Sequence, residues 1–238
     1  ATTAETLELA SGAGITMTAA QNNAFTGGTI TAPGSETITI TDTANADALA
    51  NIEAYVLASG GELTVTSGQE GVDVTGQDGS NETVNVGGLT VTGTYALGTG
   101  TDVLSATDGA DISGVNAGGA TTAETLELAS GAGITMTVAQ HDAFTTFTDT
   151  ATQTITLSNA GTVTGEGVIE SYNLADGGGN TFTLGAAGQN VTGGSGDDTV
   201  SAAAFDPTGT LDGGGGTDTL VLDGVDISDN ATVSGFEV

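Results

Sequence analysis

The sequence contains no lysine, no arginine and no cysteine, and against 30 aspartates and glutamates it sets a single histidine, for a formal net charge of -30. A surface without basic side chains cannot neutralise phosphates, which makes nucleic acid and anionic membrane surfaces poor partners. Carboxylates that cluster have no lysine or arginine to pair with, so they must face water, carry a proton or bind a cation. The absence of cysteine removes disulfides and thiolate metal sites. One histidine and no cysteine leave little for nucleophilic catalysis. Paired acids could still act as a glycosidase, but nothing basic is present to hold an acidic polysaccharide, and no enzyme activity is expected. No apolar run reaches membrane-spanning length, so no membrane insertion is expected, and any export signal is expected outside these residues. There is no tryptophan, and three tyrosines and six phenylalanines are thin material for two sandwich cores.

What is present is repetition. "ATTAETLELASGAGITMTAAQNNAF" from Ala1 returns as "ATTAETLELASGAGITMTVAQHDAF" from Ala120, which divides the chain into copy one, 1–119, and copy two, 120–238. A smaller element, an acid flanked by apolar residues, recurs at Glu5, Glu53, Glu124, Glu170 and Glu237. These glutamates read as outward-facing strand residues at one fixed position of a repeating coil. The copies join without a proline-rich or charged spacer, so one continuous core is expected, as an excerpt from a longer array.

Between these elements lie many short segments of period-two alternation, among them "TITIT", "LTVT", "TVNV", "TFTL" and "DTLVL", punctuated by Gly, Asn, Asp and Ser. The pattern predicts an all-β chain. Only "TAAQNNAF" (18–25), its copy (137–144) and "ADALANIEAY" (46–55) look capable of a helical turn, with Phe25 and Phe144 plugging the core beside the first two. His141, which replaces Asn22 of copy one, reads as a surface polar residue. Two architectures fit: a parallel β-solenoid, whose narrow coils fill with Val, Ile, Leu and Ala, or antiparallel β-sandwich repeats.

Two windows carry chemistry. "GGSGDDTVS" (193–201) and "GGGGTDTLV" (213–221) share the pattern Gly-Gly-x-Gly-x-Asp-x-apolar-x. Glycine lets a backbone turn tightly enough to aim several carbonyls at one point, and aspartate adds charge, a combination suited to calcium. The pattern resembles the nonapeptide of the repeats-in-toxin (RTX) family of secreted bacterial proteins. The resemblance implies a parallel β-roll with calcium (Ca2+) held between turns, Asp198 and Asp218 as side-chain ligands, carbonyls near Gly194, Gly196, Gly214 and Gly216 completing the shell, and Val200 and Leu220 pointing inward. The step from Asp198 to Asp218 is longer than the family's regular coil. Copy one holds an eroded pair at the same separation, Glu82 in "GQDGSNETV" and Asp102 in "GTGTDVL".

With the long repeats, the resemblance implies a calcium-stabilised structural segment of an extracellular bacterial surface protein: a stalk, a surface layer or a filament. Its expected partners are calcium and identical repeats meeting it end to end. The alternative is an adhesin or ligand-binding module in which exposed Thr-x-Thr strands take a glycan or ice, although these units do not recur at one fixed sequence period.

Overall fold

The computed structural model describes residues 6–119, 122–129, 131–149, 152–227 and 231–237. Alternating threonine and aliphatic residues cannot bury both faces, so each short segment turns its apolar side chains to one side. In "TITI" (37–40) Ile38 and Ile40 are buried while both threonines stay partly exposed. Glycine and asparagine bends end each segment after a few residues and send the chain round again. The result is a parallel β-solenoid with two strands in most coils.

The first strands of successive coils are β1 (Thr6–Glu8), β3 (Thr29–Thr31), β5 (Asn45–Asp47), β7 (Glu62–Thr64), β9 (Thr83–Gly87), β11 (Val103–Ala106), β12 (Thr125–Leu128), β14 (Thr146–Thr148), β16 (Thr162–Thr164), β18 (Thr181–Thr183), β20 (Thr199–Ser201) and β22 (Thr219–Val221). The second strands are β2 (Gly14–Met17), β4 (Thr37–Ile40), β6 (Ala54–Val56), β8 (Asp73–Thr75), β10 (Tyr95–Ala96), β13 (Gly133–Met136), β15 (Thr154–Leu157), β17 (Ser171–Asn173), β19 (Asn190–Thr192), β21 (Thr210–Asp212) and β23 (Thr232–Ser234).

The first series forms three sheets, β1-β3, β5-β7-β9-β11-β12-β14 and β16-β18-β20-β22. The second forms β2-β4-β6-β8-β10 and β13-β15-β17-β19-β21-β23, and isolated bridges from Thr90 to Asp111 and from Asp111 to Thr135 lead into β13 from the stretch between β9 and β10. Because β11 pairs with β12, one sheet runs through the boundary between the repeat copies.

Register, not sequence period, is what the coils share. Thr37 pairs with Ala54, whereas Thr6 pairs with Thr29 across a longer stretch of chain. The bends absorb the difference, and inward residues stack in columns. One column runs Ala46, Leu63, Val84, Leu104, Leu126, Phe147, and another runs Ile134, Ile155, Tyr172, Val191, Leu211. All of these are buried, and each large side chain removed from water contributes about 1.5–3 kcal/mol. Val200 is buried as expected, and Leu220 is half-buried.

Two short helices, α1 (Ala19–Asn23) and α2 (Val138–Ala143), occupy the two "TxAQ" segments. Each opens with a capping box, Thr18 with Gln21 and Thr137 with Gln140, which satisfies otherwise orphan backbone donors. Where the first-strand series breaks after β3, Asn23 of α1 stands in for the missing strand: its amide donates to Asn45 O and its Oδ1 accepts from Asp47 N. The "ADALANIEAY" segment is not helical. It spans β5, a turn in which Asn51 takes a φ of 61°, and β6, because Ala46 and Tyr55 join the inward columns opposite Leu63 and Ile38.

Candidate functional site: stacked carboxylates at the coil corners

The residue just before a strand sits at a coil corner, and in four ladders along this solenoid its backbone N–H donates to an acid of the neighbouring coil. The N–H of Glu82 donates to Asp102 Oδ1 (2.8 Å), and that of Asp102 donates to Glu124 Oε2 (2.8 Å). In copy two the same ladder runs from Asp198 N to Asp218 Oδ1 (2.7 Å) and from Asp218 N to Glu237 Oε2 (2.5 Å). Shorter ladders link Glu36 N to Glu53 Oε2 (3.0 Å) and Gln153 N to Glu170 Oε2 (2.7 Å). Each of these rungs points the same way: the later coil's carboxylate satisfies the earlier coil's donor.

This placement revises the reading of the recurring glutamates. Glu53 and Glu237 are exposed and Glu124 and Glu170 half-buried, each just outside a strand, and as the last rungs of the four ladders their carboxylates also hold backbone donors. Glu5 lies outside the described residues. The four acids singled out as candidate metal ligands, Glu82, Asp102, Asp198 and Asp218, are the inner rungs, all at most 2% exposed. Sequence spacing pairs them correctly within each copy. Glu36, fully buried and holding the N–H groups of Gly12 and Gly34, was missed, since no glycine-rich motif marks it.

A carboxylate has more acceptor capacity than one N–H can use. Glu82 Oε2, Asp102 Oδ2 and Asp218 Oδ2 are buried with no hydrogen-bond partner. Burial pushes the Asp102 carboxyl up to about 6, with the N–H of Glu82 opposing the shift and the carboxylates of Glu82 and Glu124 adding to it. Asp198 differs. Its Oδ1 takes both the backbone N–H (2.7 Å) and the side-chain amide (2.8 Å) of Asn180, and its Oδ2 takes Gly194 N (3.0 Å).

The glycines beside the acids serve close stacking. A methyl group on Gly193 would come within 1.8 Å of Gly213 O and 3.0 Å of Asp198 Oδ2, and one on Gly76 within 2.3 Å of Leu97 O and 2.9 Å of Glu82 Oε2. Gly214 and Gly216 combine that closeness with φ values of 88° and 140°, which L side chains rarely adopt. The Gly194 carbonyl accepts from Gly215 N (2.9 Å), and the Gly196 carbonyl faces the Cα of Gly216. Among the described residues no three His, Asp or Glu side chains converge on one point, so an ion at these corners would draw most of its oxygens from backbone and water. The donor chemistry, buried carboxylate oxygens lacking any partner, suits a hard cation.

His141 is 2% exposed, which corrects its reading as a surface residue. It lies on the inner side of α2, where Nε2 meets Tyr172 Oη (3.2 Å) and its ring packs at 5.2 Å from that of Phe147. Burial lowers its pKa, while Asp142, at 3.4 Å from Nδ1, and Glu166 pull the other way. Beside it a cleft of about 310 Å³ is lined by His141, Asp142, Phe144, Thr162, Thr164 and Glu166.

No protein-family model matches the chain, and no curated protein and no solved structure does either. Among the described residues no helix is long and apolar enough to cross a membrane. Architecture and chemistry therefore carry the functional reading: a tandem-repeat β-solenoid with a structural, scaffolding character.

Proposed function

We propose that this chain is a calcium-stabilised structural segment of an extracellular bacterial surface protein, serving as a stalk, surface layer or filament, with no catalytic role. The observation that carries the proposal is the set of buried carboxylate oxygens without partners in a chain that has no lysine or arginine. An unpaired buried charge costs several kcal/mol. Bound calcium supplies positive charge and accepts about six to eight oxygens. The residues that would hold it are Glu82, Asp102, Asp198 and Asp218, with carbonyls near Gly194, Gly196, Gly214 and Gly216. The RTX-like turns and the stacking of copy on copy support the extracellular, repetitive setting and association with identical repeats end to end. Binding to the native state stabilises it by mass action, so excess chelator at low salt should lower the melting temperature followed by circular dichroism; an unchanged melting profile overturns the proposal.

One face supports the second reading, an adhesin or ligand-binding module for a glycan or ice. On β16, β18, β20 and β22 the outward residues form two columns, Thr162, Thr181, Thr199, Thr219 and Thr164, Thr183, Ser201, Val221. Neither column contains an acid, and the register is kept although the sequence steps between strands are unequal. The irregular sequence period therefore does not prevent a regular lattice, with a spacing of about 4.8 Å between strands. Thermal hysteresis or a glycan-array signal that disappears in Thr181→Asp would favour this reading over a purely structural one.

A further inference from the structure

The two long ladders differ in how their first acid is satisfied, and the difference reverses the order in which the sequence motifs rank them. In copy two the rung before Asp198 is Asn180, whose side-chain amide reinforces its own N–H on Asp198 Oδ1, while Gly194 N takes Oδ2. Asp198, at the centre of the best glycine-rich motif, has both oxygens engaged. In copy one Glu82 Oε1 takes Gly60 N (3.0 Å) and the Ser80 hydroxyl (2.6 Å), and no side-chain amide reaches Oε2. Oε2 is left bare, and so is Asp102 Oδ2 on the next coil.

We infer that the Glu82–Asp102 pair in copy one is the principal cation site of the chain, taking calcium, and that the Asp198–Asp218 turn is the weaker one. The inference rests on the calcium reading proposed above. Both side chains are fully buried, they occupy adjacent rungs, and their bare oxygens belong to the same ladder. A strand-to-strand step of about 4.8 Å keeps consecutive rungs within reach of one ion. The Leu97 carbonyl borders the same bare Cα of Gly76 as Glu82 Oε2 and supplies a further oxygen on that side. In the copy-two ladder only Asp218 contributes a bare carboxylate oxygen, and the other bare atom, Asn180 Oδ1, carries no formal charge and lies two rungs away. Copy one thus offers two uncompensated carboxylates to a divalent ion and copy two offers one, which decides the ranking because ligand charge count tunes calcium affinity.

The test is a calcium titration of the full chain, followed by melting temperature, for the wild type, for Glu82→Gln with Asp102→Asn, and for Asp198→Asn with Asp218→Asn. The copy-one pair should raise the calcium midpoint by roughly tenfold or more, and the copy-two pair by less. A larger shift for the copy-two pair, or equal shifts, overturns the inference while leaving the calcium reading intact. A wild type that does not respond to calcium removes both. Should the copy-one variant fail to fold, trace manganese(II) exchanged into the calcium-loaded wild type gives the answer by NMR. Amides of Glu82, Asp102 and Val103 should broaden before those of Asp198 and Thr199, and the opposite order overturns the inference.

Discussion

The two repeat copies keep their ladder positions and change the residues that fill them. Glu36 of copy one corresponds to Gln153 of copy two, Glu82 to Asp198 and Asp102 to Asp218, and each still donates its backbone N–H to a carboxylate on the next coil. What the fold requires at a corner is an acceptor for the neighbour's donor, and the rung that only donates can be neutral, as Gln153 and Asn180 are. Charge at an inner rung beyond that need is surplus to folding. That surplus is where copy one and copy two part company.

The largest expected effect is one the copies should share. Gly76→Ala and Gly193→Ala drive a methyl into backbone carbonyls of the adjacent coil, and each should destabilise the chain by about 3 kcal/mol or more in urea denaturation. A markedly smaller loss at Gly76 would mean that the copy-one turn is less tightly stacked than the copy-two turn.

Next in size is Asn180→Ala, which removes the side-chain hydrogen bond to Asp198 Oδ1 and brings copy two a step closer to copy one. Losing a hydrogen bond to a buried carboxylate should cost about 1–3 kcal/mol in chelator and distinctly less in excess calcium. A cost that calcium does not reduce would indicate that Asn180 acts only through packing.

A smaller effect separates the helices. Asn22 of copy one cannot titrate and His141 can. Because the folded state holds His141 below its ordinary value of 6.5, it favours the neutral ring. The associated stability is complete above pH 6.5 and declines as pH falls through that value towards the lower folded pKa. As the only histidine, its ring gives one NMR titration curve, expected to lie on the acid side of 6.5. The stability difference between the wild type and His141→Asn should change over the same window, and a curve at or above 6.5 contradicts the burial argument.

The smallest effect is expected at an exposed last rung. Glu53→Gln keeps an acceptor oxygen and should change stability by no more than about 0.5 kcal/mol in the same urea experiment. A larger loss would mean that the last rung needs its charge as well as its oxygen.

Much of this was legible in the sequence, for identifiable reasons. Period-two alternation with glycine and asparagine punctuation is a direct image of coils that bury one side of each short strand, and the long repeat shows in the letters themselves. The pairing of Glu82 with Asp102 and of Asp198 with Asp218 could be read from their shared separation. Hidden from the sequence was everything that register decides. Coils of unequal length place Thr162, Thr181, Thr199 and Thr219 in one column although no fixed period announces it. Glu36 sits outside any motif, and only the alignment of Gly12 and Gly34 over it shows why it is buried. His141 looked like a solvent residue because its neighbours Gln140 and Asp142 are polar. The side of this short helix that meets Tyr172 is set by a strand far along the chain.

The uniform direction of the ladders has a consequence for how the chain is made. Each inner corner's donor is satisfied by a carboxylate that comes later in the sequence, so a newly made coil keeps that donor open until the next coil has been made. Beside the same corners the donors of Thr101 and Thr217 are met by Asn81 and Asp197 of the earlier coil, so each new coil is laced to its predecessor on arrival and closed one turn later by its successor.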